Sequence, residues 1–383
     1  AFFLVLLYMI FFYKGAGVVA DIALLCNVLF LFGALASFGA VLTLPGIAGL
    51  VLTLGMAVDA NVIIYERVKE ELRAGKALRL AIADGYKNAY SAIIDGNLTT
   101  IITGIVLFFF GSGPVQGFAT TLVVGIITSM VTSIFITRLI FEARLSRGKN
   151  ISFYTNMTKN FLANTNIDFM KMRKKAYVIS GVILIGLIVC IFTKGFTMGV
   201  DFAGGRTYVV RFDKPVTAEQ VREATVAEFN ETVEVKQFGG ESQMKITTKY
   251  KINESGNEID AEIEGKLYNA LKDMFATELS IADFTSTLDN PNGIISSDKV
   301  GPTVAKDIQR DAVIAVILAI IAIFGYIAIR FKGWKWGLGG ALSTVHDAIF
   351  VIGFFSLFSG ILPFNLDVDQ TFIAAVLTII GYS

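Results

Sequence analysis

Two acids lie deep inside apolar stretches of this chain, and a third stands near the start of another. Asp59 is embedded in Val51-Leu52-Thr53-Leu54-Gly55-Met56-Ala57-Val58-Asp59-Ala60-Asn61, and Asp347 in Ser343-Thr344-Val345-His346-Asp347-Ala348-Ile349. A carboxyl at bilayer depth costs about 2.5–3.5 kcal/mol on the insertion scale, so such residues persist where a proton, an ion or a partner charge is handled. Asp59 precedes Arg67 by eight residues, which on a helix places it about 12 Å inside the cationic end. Asn61 adds an amide two residues on, and the small Ala57 and Ala60 allow a second helix to approach closely. His346, the single histidine, stands beside Asp347, roughly 16 Å past Lys335 on a straight helix. Imidazole titrates near neutral pH and can pass protons to a neighbouring carboxyl. Asp21 is shallower, seven residues past Lys14 and close to an interface. The chemistry these types support is proton uptake and release within the membrane. The plainer reading of each is a polar side chain satisfied by a neighbouring helix.

The elements that must hold these residues are legible from composition. Of 383 residues 54% are hydrophobic and 17% charged, and mean hydropathy is +0.64, which is the composition of a membrane protein. The net charge of +1 and the lack of a basic stripe with interleaved aromatics give no indication of nucleic-acid binding. Cys26 and Cys190 both fall in apolar runs and belong to no Cys/His spacing, so they read as packing residues, with no metal set. Runs long enough to cross hydrocarbon occupy 18–43, 46–65, 117–140, 176–193, 308–330 and 336–360, with a shorter one at 93–110 and stubs at 1–13 and 370–383. The stubs, one without a preceding Met or basic segment, suggest a fragment whose first and last helices are cut. Within the 93–110 span, Asp95-Gly96-Asn97-Leu98-Thr99-Thr100 reads as a helix start, with Asp95 at the cap.

Cations fix the topology. Lys14, the group from Arg67 to Lys87, the run from Arg138 to Lys175, and Arg330, Lys332 and Lys335 all fall on one side if the spans alternate. By the positive-inside rule that side is the cytoplasm. The connections 43–46, 111–116 and 361–370 and the insert 196–305 then lie outside. The insert has an excess of acidic over basic residues. It reads as β-α-β-β-α-β: strands at 206–212, 231–238 and 243–248, a helix opened by a Thr217/Gln220 capping box, a second helix over 258–276, and a last strand at 281–287. That order predicts a small ferredoxin-like α+β domain. The ends of the chain also overlay: Val51-Leu52-Thr53-Leu54-Gly55 on Val376-Leu377-Thr378-Ile379-Ile380-Gly381 with one residue inserted, and Tyr13-Lys14-Gly15 on Phe331-Lys332-Gly333. In this alignment Asp21 faces Asp347. The expected architecture is therefore an α-helical polytopic membrane protein with pseudo-twofold parallel repeats, related by an axis along the membrane normal, plus one α+β domain.

No P-loop, HExxH, GxSxG or zinc pattern is present in the sequence, and the glycines of 199–205 carry no lysine and open no helix, so enzymatic chemistry and a bound nucleotide are not expected. Several motifs carry a resemblance. Gly55-Met-Ala-Val-Asp-Ala-Asn61 followed by Tyr65-Glu66-Arg67, Asp95 to Thr100, and Phe108-Phe-Phe-Gly-Ser-Gly-Pro114 resemble the carboxy-terminal membrane part of SecD; Gly199-Val-Asp-Phe-Ala-Gly-Gly205, Val300-Gly-Pro302, His346-Asp347 and Ile380-Gly-Tyr-Ser383 resemble SecF. Their order resembles the fused SecDF arrangement and covers nearly all of the chain outside 150–170. The resemblance implies a resistance-nodulation-division relative in the bacterial inner membrane, an accessory of the Sec translocase that uses the proton-motive force to draw preproteins out on the periplasmic side. Its implied partners are the SecYEG translocon, YajC, preproteins and membrane lipids, with no cofactor beyond the proton gradient. Asp59 matches the family's intramembrane proton acid and Asp347 its counterpart, with His346, Asn61 and Asp21 as further relay positions. Asp95, Asn97 and Thr99 fall in one family motif, and Asp201, Gly204 and Gly205 in a periplasmic one. The implied division is 1–149 SecD-like bundle, 150–175 basic cytoplasmic linker, 176–195 first SecF-like helix, 196–305 periplasmic domain and 306–383 SecF-like helices. Rival readings are a proton-driven exporter of small molecules or lipids, a membrane adaptor without ion coupling and, more distantly, an intramembrane aspartyl protease.

Overall fold

A computed structural model of the chain describes all residues except 1, 41, 112–113, 160–166, 232, 255, 287–290, 360 and 363–365, and the side chains of Leu44 and Pro114. Among the described residues seven helices are long and apolar enough to cross a membrane, including Gly15–Ser37, Pro45–Arg73, Leu78–Phe110 and Pro302–Arg330. The chain divides into two units, one of residues 1–182, 314–348 and 374–383, the other of residues 183–313 and 349–373.

The first unit opens with α1 (Phe2–Tyr13) and α2 (Gly15–Ser37), joined at Lys14 in the left-handed region, and continues with α3 (Leu44–Met56) and α4 (Asp59–Arg73). The expected span 46–65 lies within one helical run, Pro45–Arg73, in which the regular hydrogen-bond pattern lapses at Ala57 and Val58 while both residues keep right-handed helical backbone, and Asp59 follows directly after that irregular turn. The run 93–110 is likewise only the apolar half of α5 (Leu78–Phe110), 33 residues without a break. Its charged first half looks like a connection in hydropathy, yet Ala81, Ile82, Gly85, Tyr86, Ala89 and Ile93 are buried at helical spacing. Asp95 is therefore mid-helix, and the expected N-cap is not one. The chain then forms α6 (Pro114–Val131), a π turn at Thr132–Ile136, and α7 (Thr137–Ser146). The connections expected at 111–116 and 361–370 and the linker expected at 150–175 lie partly outside the described residues. A core of Tyr13, Ala20, Leu24, Ala60, Ile64, Tyr65 and Phe141 ties these helices together, with the Tyr65 ring edge-on to Phe141 and Phe153. Parts of α8 (Phe169–Lys194), α13 (Pro302–Arg330), α14 (Trp334–Phe358) and α15 (Gln370–Tyr382) complete the unit.

The second unit contains the short helix α9 (Val200–Ala203) and a four-stranded antiparallel sheet ordered β2-β3-β1-β4, with β1 Gly205–Arg211, β2 Glu234–Gln237, β3 Gln243–Thr248 and β4 Gly293–Val300. Alternation sends Tyr208, Val210, Met244 and Ile246 into a core with Val221, Phe229, Ile263 and Leu267 from α10 (Ala218–Phe229) and α11 (Asn257–Leu271). The Thr217/Gln220 capping box is present as expected. The last strand is not. Residues Ile281–Thr285 form α12, whose start is capped by Ser280 accepting from the Asp283 amide at 3.1 Å, and the fourth strand comes later, at β4; Thr287 lies outside the described residues.

Two ties hold the loops of this domain. The Arg206 guanidinium, 2% exposed, meets Asp260 at 3.0 Å and donates to the carbonyls of Tyr250, Lys251 and Glu254 at 2.9–3.0 Å. Asp213 accepts from the amides of Ala276 and Thr277 at 2.8 and 2.9 Å, which hold its carboxyl below the usual range. The lowered value belongs to the folded state, so this stabilisation is complete above about pH 4 and is lost as pH falls through the folded value. Asp213→Asn is expected to lower the unfolding midpoint of the sheet domain near neutral pH, with the difference from the native chain closing as pH falls through the lowered folded value. Hydrogen exchange of the strands in the full chain across pH reads this, and an equal gap at both ends would contradict it.

Candidate functional site

The irregular turn before α4 sets the site. Asp59 is the first residue of α4, directly after the irregular turn at Ala57 and Val58. Its side chain, half-buried, lines a cavity of about 290 Å3 together with Asn97, Thr100 and Tyr382, walled by Met56 and Ile63. The Tyr382 hydroxyl donates to Asp59 Oδ2 at 2.6 Å, joining positions 323 apart in sequence. Sequence reasoning noted Tyr382 only as part of a motif; nothing local announces the contact, because it is made by packing between distant helices.

A seam between α5 and α15 places that hydroxyl. Thr99 and Thr100 both donate to the Gly381 carbonyl, at 2.8 and 3.0 Å, satisfying an oxygen left free by the end of α15. A Cβ on Gly381 would stand 2.1 Å from Thr103 Oγ1 and 3.0 Å from Thr100 Cα, so only glycine permits this approach. Gly381→Val is expected to force the two helices apart, cost about 1–3 kcal/mol, and separate Tyr382 from Asp59. Spin labels at Asn97 and Thr378, one on each helix, should report a longer inter-label distance in membranes for that variant; an unchanged distance would mean the seam tolerates the side chain.

One turn earlier on α5 the same helix is tied to α13. Asp95 accepts from the Tyr326 hydroxyl and from Arg330 Nε, each at 2.8 Å, while Arg330 Nη2 reaches Ser91 Oγ at 2.5 Å. Ser91, Asp95 and Thr99 follow at intervals of four, so one stripe of α5 meets both α13 and α15. Asn97 turns back on its own helix, donating to the Ile93 carbonyl at 2.8 Å.

The other expected relay residues are dispersed. His346 Nδ1 lies 2.8 Å from Asp347 Oδ1, and Nε2 lies 2.5 Å from Ser180 Oγ on α8, so the imidazole bridges a hydroxyl and a carboxyl. No hydrogen bond or ion pair joins Asp59 to Asp347 among the described residues. Asn61 is buried and does not line the Asp59 cavity, and its side-chain oxygen has no hydrogen-bond partner among the described residues. Asp21 is 8% exposed, neither of its carboxyl oxygens has a hydrogen-bond partner among the described residues, and it is within electrostatic reach of the equally unpartnered Tyr65 hydroxyl.

The glycine segment before β1 has a structural role. Asp201 accepts from the Gln370 amide at 3.1 Å, and Asp369 accepts from that of Phe372 at 2.8 Å, so two acids cap the start of α15. Burial, reinforced by the nearby Asp201, holds the Asp369 carboxyl above the usual range against the Phe372 bond. Gly204 and Gly205 have φ of 69° and 152°, backbone that side chains resist, and a Cβ on Gly205 would meet the Thr248 carbonyl at 3.1 Å. Among the described residues no group of three or more His, Cys, Asp or Glu could hold a metal.

Comparison with known proteins places these features. A family model described as protein export membrane protein SecD/SecF, C-terminal, matches residues 1–145 and 280–383, and one described as the SecD/SecF GG motif matches residues 191–216. The chain is 34% identical to the protein translocase subunit SecDF of Bacillus subtilis over 396 residues, covering 99% of this chain and 50% of the relative. Over 139 residues, 36% of this chain and 22% of the relative, it is 58% identical to the protein translocase subunit SecD of Rhodothermus marinus. The crystal structure of SecDF from Thermus thermophilus, described as a translocon-associated membrane protein, superposes with a TM-score of 0.82 at 30% identity, over 100% of this chain and 48% of that one. SecDF in a super-membrane-facing form gives a TM-score of 0.69 at 30% identity, over 99% of this chain and 48% of that one. The chain thus spans about half the length of the fused relatives it matches.

Proposed function

The chain belongs to the SecD/SecF family of protein export membrane proteins, and on that premise we propose that it is the part of a Sec translocase accessory that converts the proton-motive force into preprotein export. It is a multi-pass protein of the bacterial inner membrane, with residues 196–305 on the periplasmic face. Its partners in this reading are the SecYEG translocon, YajC and the preproteins in transit. The observation that carries the reading is the Asp59 carboxyl, at an irregular turn of its span, in a cavity, held by a hydroxyl from the far end of the chain.

Asp59 takes up and releases the proton. As a carboxylate it accepts the Tyr382 hydrogen bond; as a neutral acid it has its own O–H to donate, and the contact between α4 and α15 rearranges. Asp347 with His346, Asn61 and Asp21 are the further relay positions, while Asp95 and Thr99 hold the helices that frame the site. Asp201, Gly204 and Gly205 anchor the periplasmic domain to the start of α15. One proton moving down about 150 mV supplies roughly 3.5 kcal/mol, enough to bias a two-state packing more than a hundredfold.

The division into a SecD-like bundle (1–149), a basic linker (150–175), a first SecF-like helix (176–195), a periplasmic domain (196–305) and further SecF-like helices (306–383) fits this reading. The match of one family model to both 1–145 and 280–383 supports pseudo-twofold parallel repeats. The β-α-β-β-α-β order, antiparallel pairing and strand order β2-β3-β1-β4 support a ferredoxin-like assignment for the periplasmic domain. The test is preprotein translocation in proteoliposomes holding the translocon and the complete protein. Its stimulation should require an imposed proton gradient and vanish with a protonophore; stimulation that survives the protonophore rejects the reading.

A further inference from the structure

We propose that the cytoplasmic ends of α4, α5 and α7 form a binding site for one anionic glycerophospholipid. A cavity of about 560 Å3 opens there within a single unit, with Lys87, Arg138, Tyr86 and Tyr90 at its polar side and Ile93 and Phe135 among its apolar lining. Both walls have the same gradient. Along α5 the chain passes from Lys87 through Tyr90 to Ile93 as it enters the membrane, and along the opposite wall it passes from Phe135 to Arg138 as it leaves. Cations therefore sit at headgroup level, tyrosines at the boundary and apolar side chains beneath, which is the polarity profile of a phospholipid. Both cations fall on the side that the positive-inside rule assigns to the cytoplasm, where anionic lipid attracts basic residues.

The groups that would meet a phosphate are available. Lys87 is exposed, with no ion pair or hydrogen bond among the described residues. Arg138 stands 6.0 Å from the Tyr86 ring centre, and its only carboxylate partner among the described residues is Glu142 at 2.9 Å, an exposed pair with both side chains more than half accessible. Such a pair is weak and leaves guanidinium donors free. The Tyr86 ring is buried and fixed by its hydroxyl contact with Thr137 Oγ1 at 2.5 Å. The π turn at Thr132–Ile136 supplies an independent observation: π turns are rare, frequently mark functional sites, and this one puts Ile134 and Phe135 on the cavity wall. Phe135 and Tyr90 are 63% and 52% exposed, large aromatic surfaces beside the apolar lining.

The test is native mass spectrometry of the complete protein incubated with phosphatidylglycerol or phosphatidylcholine. Phosphatidylglycerol is expected to remain bound at one copy, with phosphatidylcholine stripped, and Lys87→Gln with Arg138→Gln should lower retention about tenfold or more. Phe135→Trp in vesicles gives a second reading, with Trp334 and Trp336 of the native chain as background. Brominated phosphatidylglycerol should quench the new fluorescence more than brominated phosphatidylcholine does. Equal retention or equal quenching by the two lipids, undiminished retention in the double variant, or displacement of the lipid by inorganic phosphate would each overturn the proposal.

Discussion

Asp59→Asn in the complete protein is expected to abolish gradient-driven export while the protein still inserts and packs. Asparagine has nearly the shape of aspartate, and its amide oxygen can accept the Tyr382 hydrogen bond that now measures 2.6 Å. What it cannot do is exchange a proton. The driving force lost is the whole bias supplied by one proton, roughly 3.5 kcal/mol at about 150 mV, so the gradient-dependent component of export should fall more than a hundredfold. Export measured with and without protonophore separates this component from ATP-driven movement. Gradient dependence that persists in the variant would remove Asp59 from the mechanism, whatever happens to the total rate.

The second large effect is expected in the sheet domain. Arg206→Ala removes a guanidinium that is 2% exposed and joins β1 to three carbonyls of the 250–254 loop and to the Asp260 carboxylate. Removing one member of a buried charged network costs about 3–5 kcal/mol, because the remaining groups stay buried without partners. Here Asp260 is partly exposed and can recover water, so the lower end of that range is expected. Arg206→Lys should restore little, since an ammonium cannot reach four acceptors spread around a planar fork. Thermal unfolding of the domain in the full chain, followed by hydrogen exchange at Tyr208 and Ile246, reads both variants. A loss below about 1 kcal/mol for the alanine variant, the ordinary value of an exposed ion pair, would mean that the loop is held by other contacts.

The parts of this architecture legible in the sequence are those written in local chemistry. Apolar runs announced the spans, and the alternation of Tyr208 and Val210 and the Thr217/Gln220 box announced β1 and α10. The first half of α5 was hidden because Arg79, Asp84 and Lys87 lower its hydropathy; its helix is amphipathic and held by packing against α4. The strand expected at 281–287 failed for a reason that was available: Ser280 three residues before Asp283 is a helix-start pattern, and it outweighed the β-branched residues around it. The irregular turn at Ala57 and Val58 had no such signal, since Gly55 lies two residues earlier and neither residue is a helix breaker.

The candidate site divides the same way. Asp59 and the His346-Asp347 pair stood out because a charge in an apolar run is visible without knowing its neighbours. Tyr382 did not, because a tyrosine in an apolar helix is ordinary and its meaning comes only from Asp59 across the seam. Asp95 was visible but misread: its aspartate at the start of an apolar run resembles a cap, and its actual partners, Tyr326 and Arg330, are more than 230 positions away.

Carboxyl-selective infrared difference spectroscopy of the complete protein in lipid, recorded across a pH step, tests the central claim most directly. The account predicts a protonated-carboxyl band that appears and disappears with the step, is absent in Asp59→Asn, and shifts in Tyr382→Phe when the hydroxyl donor is lost. A spectrum in which no band depends on Asp59, or in which its band ignores Tyr382, would contradict it.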